Sequence, residues 1–139
     1  MTREVIDTGV FIRYLIKPSA TIKELIEVRW LNDEIALVTA PELLAELAGV
    51  LKRDYIQKLI QAENAEALLE TIYRKVELLP SLGEVPRYSR DPKDDKFIAC
   101  ALAAGVTDVI TVDEDLLILG EVGGVRLLPP HKFMARLHG

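Results

Sequence analysis

RDPKDDKFIACALAAGVTDVITVD, residues 90–113, carries a helix start, a helix stop, a strand and a terminal acid in that order. Asp91 reads as an N-cap and Pro92 as the first helical residue, where its missing N–H costs nothing. Asp94 then falls at the third helical position, the usual seat of a capping acid in a first turn that favours negative charge. The helix is expected to run to Ala104, with Gly105 as its C-cap. Asp108–Val112 follows as a strand, and Asp113 comes directly after it. Phe97–Ala104 is apolar throughout, which predicts a helix buried nearly all round. Asp95 shares a stripe of that helix with Ile98, Ala99 and Leu102, and an acid aimed into such a surface is costly unless paired or metal-bound.

Outward from this segment the same alternation continues. Toward the C-terminus, Glu114–Leu119 reads as a short helix and Gly123-Gly124 as a turn. Val125–Leu128 reads as a strand, and Pro129-Pro130 opens a last helix to about Leu137. Toward the N-terminus, Glu4–Asp7 is a buried strand stopped by Thr8-Gly9. Val10–Ile16 and Thr21–Trp30 read as helices, and Ile35–Val38 as a second strand. Pro41–Arg53 and Asp54–Lys75 have helical composition, Val76–Leu79 is a third strand, and Pro80–Arg90 is the one long loop. Strands alternating with helices imply βαβ units, hence a three-layer α/β/α sandwich with a mainly parallel central sheet. No repeat or linker divides the chain, so a single domain over residues 1–139 is expected.

Composition narrows the function classes. The chain has 139 residues, 50% hydrophobic and 28% charged, which excludes disorder and low-complexity architectures. The formal charge of −5 repels phosphate backbones at long range and argues against a non-specific DNA coat or a polybasic membrane binder. It does not exclude a nucleic-acid enzyme whose acids are gathered around a cation. One cysteine, Cys100, permits no intrachain disulfide. No signal-peptide pattern and no apolar run of roughly 18–20 residues is present, so a cytoplasmic protein without a membrane segment is expected.

In parallel α/β sheets, ligands bind outside the carboxyl ends of the strands. Asp7 and Asp113 fall at such ends, although a lone acid there also serves as a turn or cap residue. Asp115 is an equally good N-cap for the Leu116–Leu119 turn. Glu46 lies on a stripe with Glu42, Gly49 and Arg53, which by itself reads as the solvated side of an amphipathic helix. Two histidines near the C-terminus, His131 and His138, make a Cys–His enzyme or a structural zinc site implausible. No glycine-rich phosphate loop is present, and Trp30, Tyr14 and Tyr55 read as packing residues rather than base-stacking platforms.

Taken in order, Val5-Ile6-Asp7-Thr8, Glu46 in PELLAEL, the acid-led helix RDPKDDKFIACALAAG and the strand VITVDEDLL resemble the PIN-domain nucleases. The resemblance spans essentially the whole chain and is closest to small prokaryotic VapC-like toxins of toxin–antitoxin pairs. It implies a PIN-like fold and a Mg²⁺- or Mn²⁺-dependent endoribonuclease. Its acidic quartet falls on Asp7, Glu46, Asp95 and Asp113, with Asp7, Asp95 and Asp113 as metal ligands. Asp94, Asp115, Thr8 and Thr111 would support them from outside. The family usually reads Asp-Thr-Asn at the first motif, whereas this chain has Asp7-Thr8-Gly9. A catalytically weakened RNA- or protein-binding module is therefore the alternative. A phospho-receiver-like domain is less compatible, because its acid pair comes early and Asp94-Asp95 comes late.

Close carboxylates repel by about 4 kcal/mol per pair at an effective dielectric near 20, so the quartet calls for a cation. Oxygen-only donors select hard ions such as Mg²⁺ or Mn²⁺. RNA would be held by Arg13, Lys17, Arg53, Arg87, Arg90, Lys93 and Lys96. Expected partners are an RNA substrate, a cognate antitoxin and, in some settings, a second copy of the chain.

Overall fold

A computed structural model describes residues 2–138 of the chain. Strand β1 (Thr2–Ile6) leads into α1 (Thr8–Ile16), and α2 (Ala20–Lys23) continues into a π-helical stretch, Glu24–Trp30. Next come β2 (Ile35–Thr39), α3 (Pro41–Leu51), α4 (Asp54–Gln57), α5 (Ala62–Lys75) and β3 (Glu77–Leu78). A 3₁₀ turn (Pro92–Asp94) precedes α6 (Asp95–Ala104), followed by β4 (Asp108–Ile110) and α7 (Glu114–Leu117). The hairpin β5 (Glu121–Val122) and β6 (Val125–Leu128) precedes α8 (Pro130–His138).

The six strands form one sheet in the order β3-β2-β1-β4-β6-β5, parallel except for the β5–β6 hairpin. Period-two alternation sends adjacent residues to opposite faces. Ile6, Leu37 and Ile110 pack with Val10, Trp30, Leu47 and Ile72 on one side. Val5, Val38 and Val109 pack with Phe97, Ile98 and Ala101 of α6 on the other. This is the expected α/β/α sandwich with a mainly parallel sheet. Among the described residues no helix is long and apolar enough to cross a membrane.

Several expectations need correction. Asp54–Lys75 is not one helix: α4 ends at Gln57, and Gln61 is extended before α5 begins. That turn brings both Ile56 and Ala65 into the same core, a tertiary gain that helical composition does not register. The strand β5 was not expected. Gly123 and Gly124 form its two-residue hairpin loop with φ of +57° and +86°, values glycine reaches without strain. Helix α6 is not covered all round, since Leu102 is 39% exposed.

Candidate active site

Sequence order reverses on either side of β1, with β2 as one neighbour and β4 as the other, so a crevice opens at their carboxyl ends. Asp7 sits immediately after β1, its N–H bonded to Ile110 O at 2.9 Å. Thr111, fully buried just past β4, donates its hydroxyl to Asp7 Oδ2 at 2.6 Å. The same hydroxyl oxygen accepts the Asp113 N–H at 2.9 Å. Asp113 caps α7 by accepting the Asp115 N–H at 2.8 Å, so Asp113 rather than Asp115 is the cap.

Helix α3 brings Glu46 to the same place. Thr8 Oγ1 donates to Glu46 Oε2 at 2.5 Å, and Lys96 Nζ lies 2.6 Å from Glu46 Oε1. An open groove of about 470 Å³ is lined by Asp7, Glu46, Asp91, Asp94 and Asp113. The acids feel one another. Burial pushes Asp7 up to about 6 against the Thr111 hydroxyl, with the charges of Glu46 and Asp113 adding to the rise. Burial and the charges of Asp113, Asp91 and Asp7 push Asp94 up to about 7. Asp94 is 8% exposed, and its Oδ2 is buried without a hydrogen-bond partner.

Asp95, expected as the third acid of the quartet, does not line this groove. It is buried, as its stripe implied, but its Oδ1 accepts from both Ser89 N and Ser89 Oγ at 2.7 Å. Its Oδ2 lies 3.3 Å from Arg87 Nε. Burial alone would raise this carboxyl, yet the Ser89 bonds and Arg87 hold it below the ordinary range. The reason is local geometry. Pro92–Asp94 turns as a 3₁₀ helix at about three residues per turn rather than 3.6, which rotates Asp94 toward the crevice. Asp94 makes no side-chain cap; Asp91 accepts the Lys93 N–H at 3.0 Å instead.

Asp91, Asp94 and Asp115 each place one carboxylate oxygen within 4.8 Å of the other two. Asp94 is shared between this group and the groove that Asp7, Glu46 and Asp113 also line, and carboxylate oxygens are the donors hard divalent cations take. The Asp94 oxygen without a hydrogen bond and two carboxyls raised toward neutrality fit such an ion, whereas Asp95 Oδ2, likewise without a hydrogen bond, has the Arg87 charge beside it.

The basic candidates divide. Arg13, Arg53 and Lys93 line the groove. Arg87 is engaged with Asp95, and Arg90 Nη2 with Asp115 Oδ1 at 2.6 Å. Lys17 is exposed outside the lining. Trp30 is buried and meets Phe11 edge-on at 6.3 Å between centroids, and Tyr14 bonds Glu27, as packing roles require. Tyr55 does not pack: it is 58% exposed at the groove, with Arg53 Nη1 3.2 Å from its hydroxyl. Its place after the Arg53 corner was the only available signal.

Gly9 has a steric reason. A Cβ built there would meet Val112 Cγ2 at 3.1 Å and Asp7 Oδ2 at 3.9 Å, so Val112 fills the space a larger residue would take.

Comparison with known proteins agrees with this architecture. The chain is 29% identical over 115 residues to an uncharacterized protein of Methanocaldococcus jannaschii, covering 83% of this chain and 73% of the relative. A crystal structure of VapBC2 from Rickettsia felis bound to a promoter DNA fragment superposes with a TM-score of 0.60 at 14% identity, covering 92% of this chain and 98% of that one. Mycobacterium tuberculosis VapC20, a Sarcin-Ricin loop cleaving toxin, superposes at 0.55 and 16% identity, covering 88% and 98%. The PIN domain family model matches residues 3–115, and with the acids gathered where that fold opens, the chain belongs to the PIN domain family.

Proposed function

We propose that the chain is a divalent-cation-dependent endoribonuclease and the toxin of a toxin–antitoxin pair. The observation that carries this reading is the convergence of Asp7, Glu46, Asp94 and Asp113 from four separated segments onto one groove. Asp7, Asp94 and Asp113 would hold Mg²⁺ or Mn²⁺, with Asp94 taking the role the sequence assigned to Asp95. When bound, the cation supplies positive charge for the phosphate and eases deprotonation of the attacking water. Glu46 orients that water, and Thr111 and Thr8 fix the Asp7 and Glu46 carboxylates by hydrogen bonds. Water oxygen attacks phosphorus and the P–O3′ bond breaks, leaving a 5′-phosphate and a 3′-hydroxyl.

Arg13, Arg53 and Lys93 would meet backbone phosphates, and the exposed Tyr55 ring offers a face on which an unpaired base stacks. Single-stranded RNA is therefore the proposed substrate. The likeness to VapC20, a Sarcin-Ricin loop cleaving toxin, and to VapBC2 supports the toxin role, a cognate antitoxin as partner and a cytoplasmic setting. Self-association into a homodimer belongs to the same expectation. Purified protein incubated with single-stranded RNA tests the reading: cleavage with Mn²⁺, none with EDTA and none by Asp7→Asn is expected. Equal cleavage by Asp7→Asn would overturn it, and RNA binding without cleavage by the wild type would favour a binding module.

A further inference from the structure

Lys96 was expected to hold RNA phosphates, but its ammonium is already committed. Its Nζ lies 2.6 Å from Glu46 Oε1, donates to Lys93 O at 2.6 Å and sits 5.5 Å from the Phe97 ring centre. Its side chain is 18% exposed, whereas the groove-lining Arg13, Arg53 and Lys93 are exposed. The position is electrostatically awkward for a cation, since Lys96 lies in the first turn of α6, where the helix dipole disfavours positive charge. A long cationic side chain drawn into such a place needs a compensating partner, and Glu46 supplies it.

The geometry points to Lys96 as a positioning residue: a built-in counter-cation that reserves Glu46 from the metal and aims it at the attacking water. This rests on the nuclease reading above. Both Glu46 oxygens are engaged, Oε1 by Lys96 and Oε2 by the Thr8 hydroxyl. Held from both sides, the carboxylate keeps one orientation, and the divalent ion is left to Asp7, Asp94 and Asp113. Lys96 also sets one positive charge beside Glu46 at the edge of a groove whose acids repel one another, which weakens cation binding there while ordering the group that handles water. Affinity for the ion and turnover are thus set against each other at this residue.

The test is Lys96→Met, which keeps the stem and removes the charge, alongside Lys96→Arg. Mn²⁺ binding is read by titration calorimetry and turnover by cleavage of a single-stranded oligoribonucleotide at saturating Mn²⁺. For Lys96→Met, kcat is expected to fall by about tenfold or more, a fraction of the roughly 10²–10⁴-fold that a positioned acid–base group contributes. Mn²⁺ affinity is expected to hold or to tighten by about threefold, because a like charge has left the site. Lys96→Arg should recover part of kcat. An unchanged kcat in Lys96→Met overturns the inference. So does a parallel loss of Mn²⁺ affinity and turnover, which is what simple structural damage produces. A wild-type protein that neither binds Mn²⁺ nor cleaves RNA removes the nuclease reading, and the inference with it.

Discussion

Thr111 and Asp7, 104 residues apart in sequence, are joined by a 2.6 Å hydrogen bond across the carboxyl ends of β4 and β1. The hydroxyl donates to the charged carboxylate, so it opposes the rise that burial imposes on Asp7. Thr111→Val keeps the shape and removes the donor. The Asp7 pKa should then rise further above about 6, and the acidic limb of the pH–rate profile should move to higher pH. An unmoved limb would show that Asp7 is not the group titrating there.

Asp7→Asn is expected to stabilise the protein in EDTA at pH 8. The folded carboxyl titrates at about 6, above its ordinary 3.8, so its stabilising neutral form is lost as pH rises through that window. Above it the buried charge is a net cost, which asparagine removes, by about 1–3 kcal/mol. Thermal melting in EDTA checks the sign, and a clearly lower Tm for Asp7→Asn would contradict crowding of acids at this site.

Gly9 and Val112 should be coupled. Gly9→Asn alone presses on Val112, whose Cγ2 would lie 3.1 Å from the new Cβ, and should lower stability, read as a lower Tm, by the cost of overpacking, about 1–3 kcal/mol. Adding Val112→Ala should recover most of the loss. Strict additivity of the two substitutions in a double-mutant cycle would deny the contact.

Glu4 lies at the opposite end of the sheet, buried with one oxygen unpartnered. Burial and the neighbouring Asp108 charge push it up to about 8 from its ordinary 4.5. The folded state therefore binds the proton more tightly, and stability should decline as pH climbs from 4.5 to about 8. Glu4→Gln should flatten that decline in melting temperatures taken across pH. An identical slope in the variant would assign the decline to other groups.

Much of this arrangement is legible in sequence because the strands and their end residues share one local signal. Asp7 and Asp113 are found simply by asking which acid follows a parallel strand. Glu46 has no such signal, since its helix stripe looks solvated, and only the resemblance selected it. Asp94 lines the groove and Asp95 does not, because Asp94 ends a 3₁₀ turn while Asp95 opens α6, a boundary that helical periodicity does not register. Sequence spacing identified the cost of burying Asp95 but not its solution. Ser89 and Arg87, in a loop without periodicity, compensate the charge that a metal was expected to meet. The pairing of Lys96 with Glu46 was hidden for the same reason, since the two lie 50 residues apart and only folding brings them together.

Calorimetric titration of Mn²⁺ into the wild type, Asp94→Asn and Asp95→Asn addresses the convergence of acids most directly. Saturable binding by the wild type, lost in Asp94→Asn and retained in a less stable Asp95→Asn, is the predicted pattern. Unaltered binding in Asp94→Asn, or its selective loss in a folded Asp95→Asn, would contradict the site described.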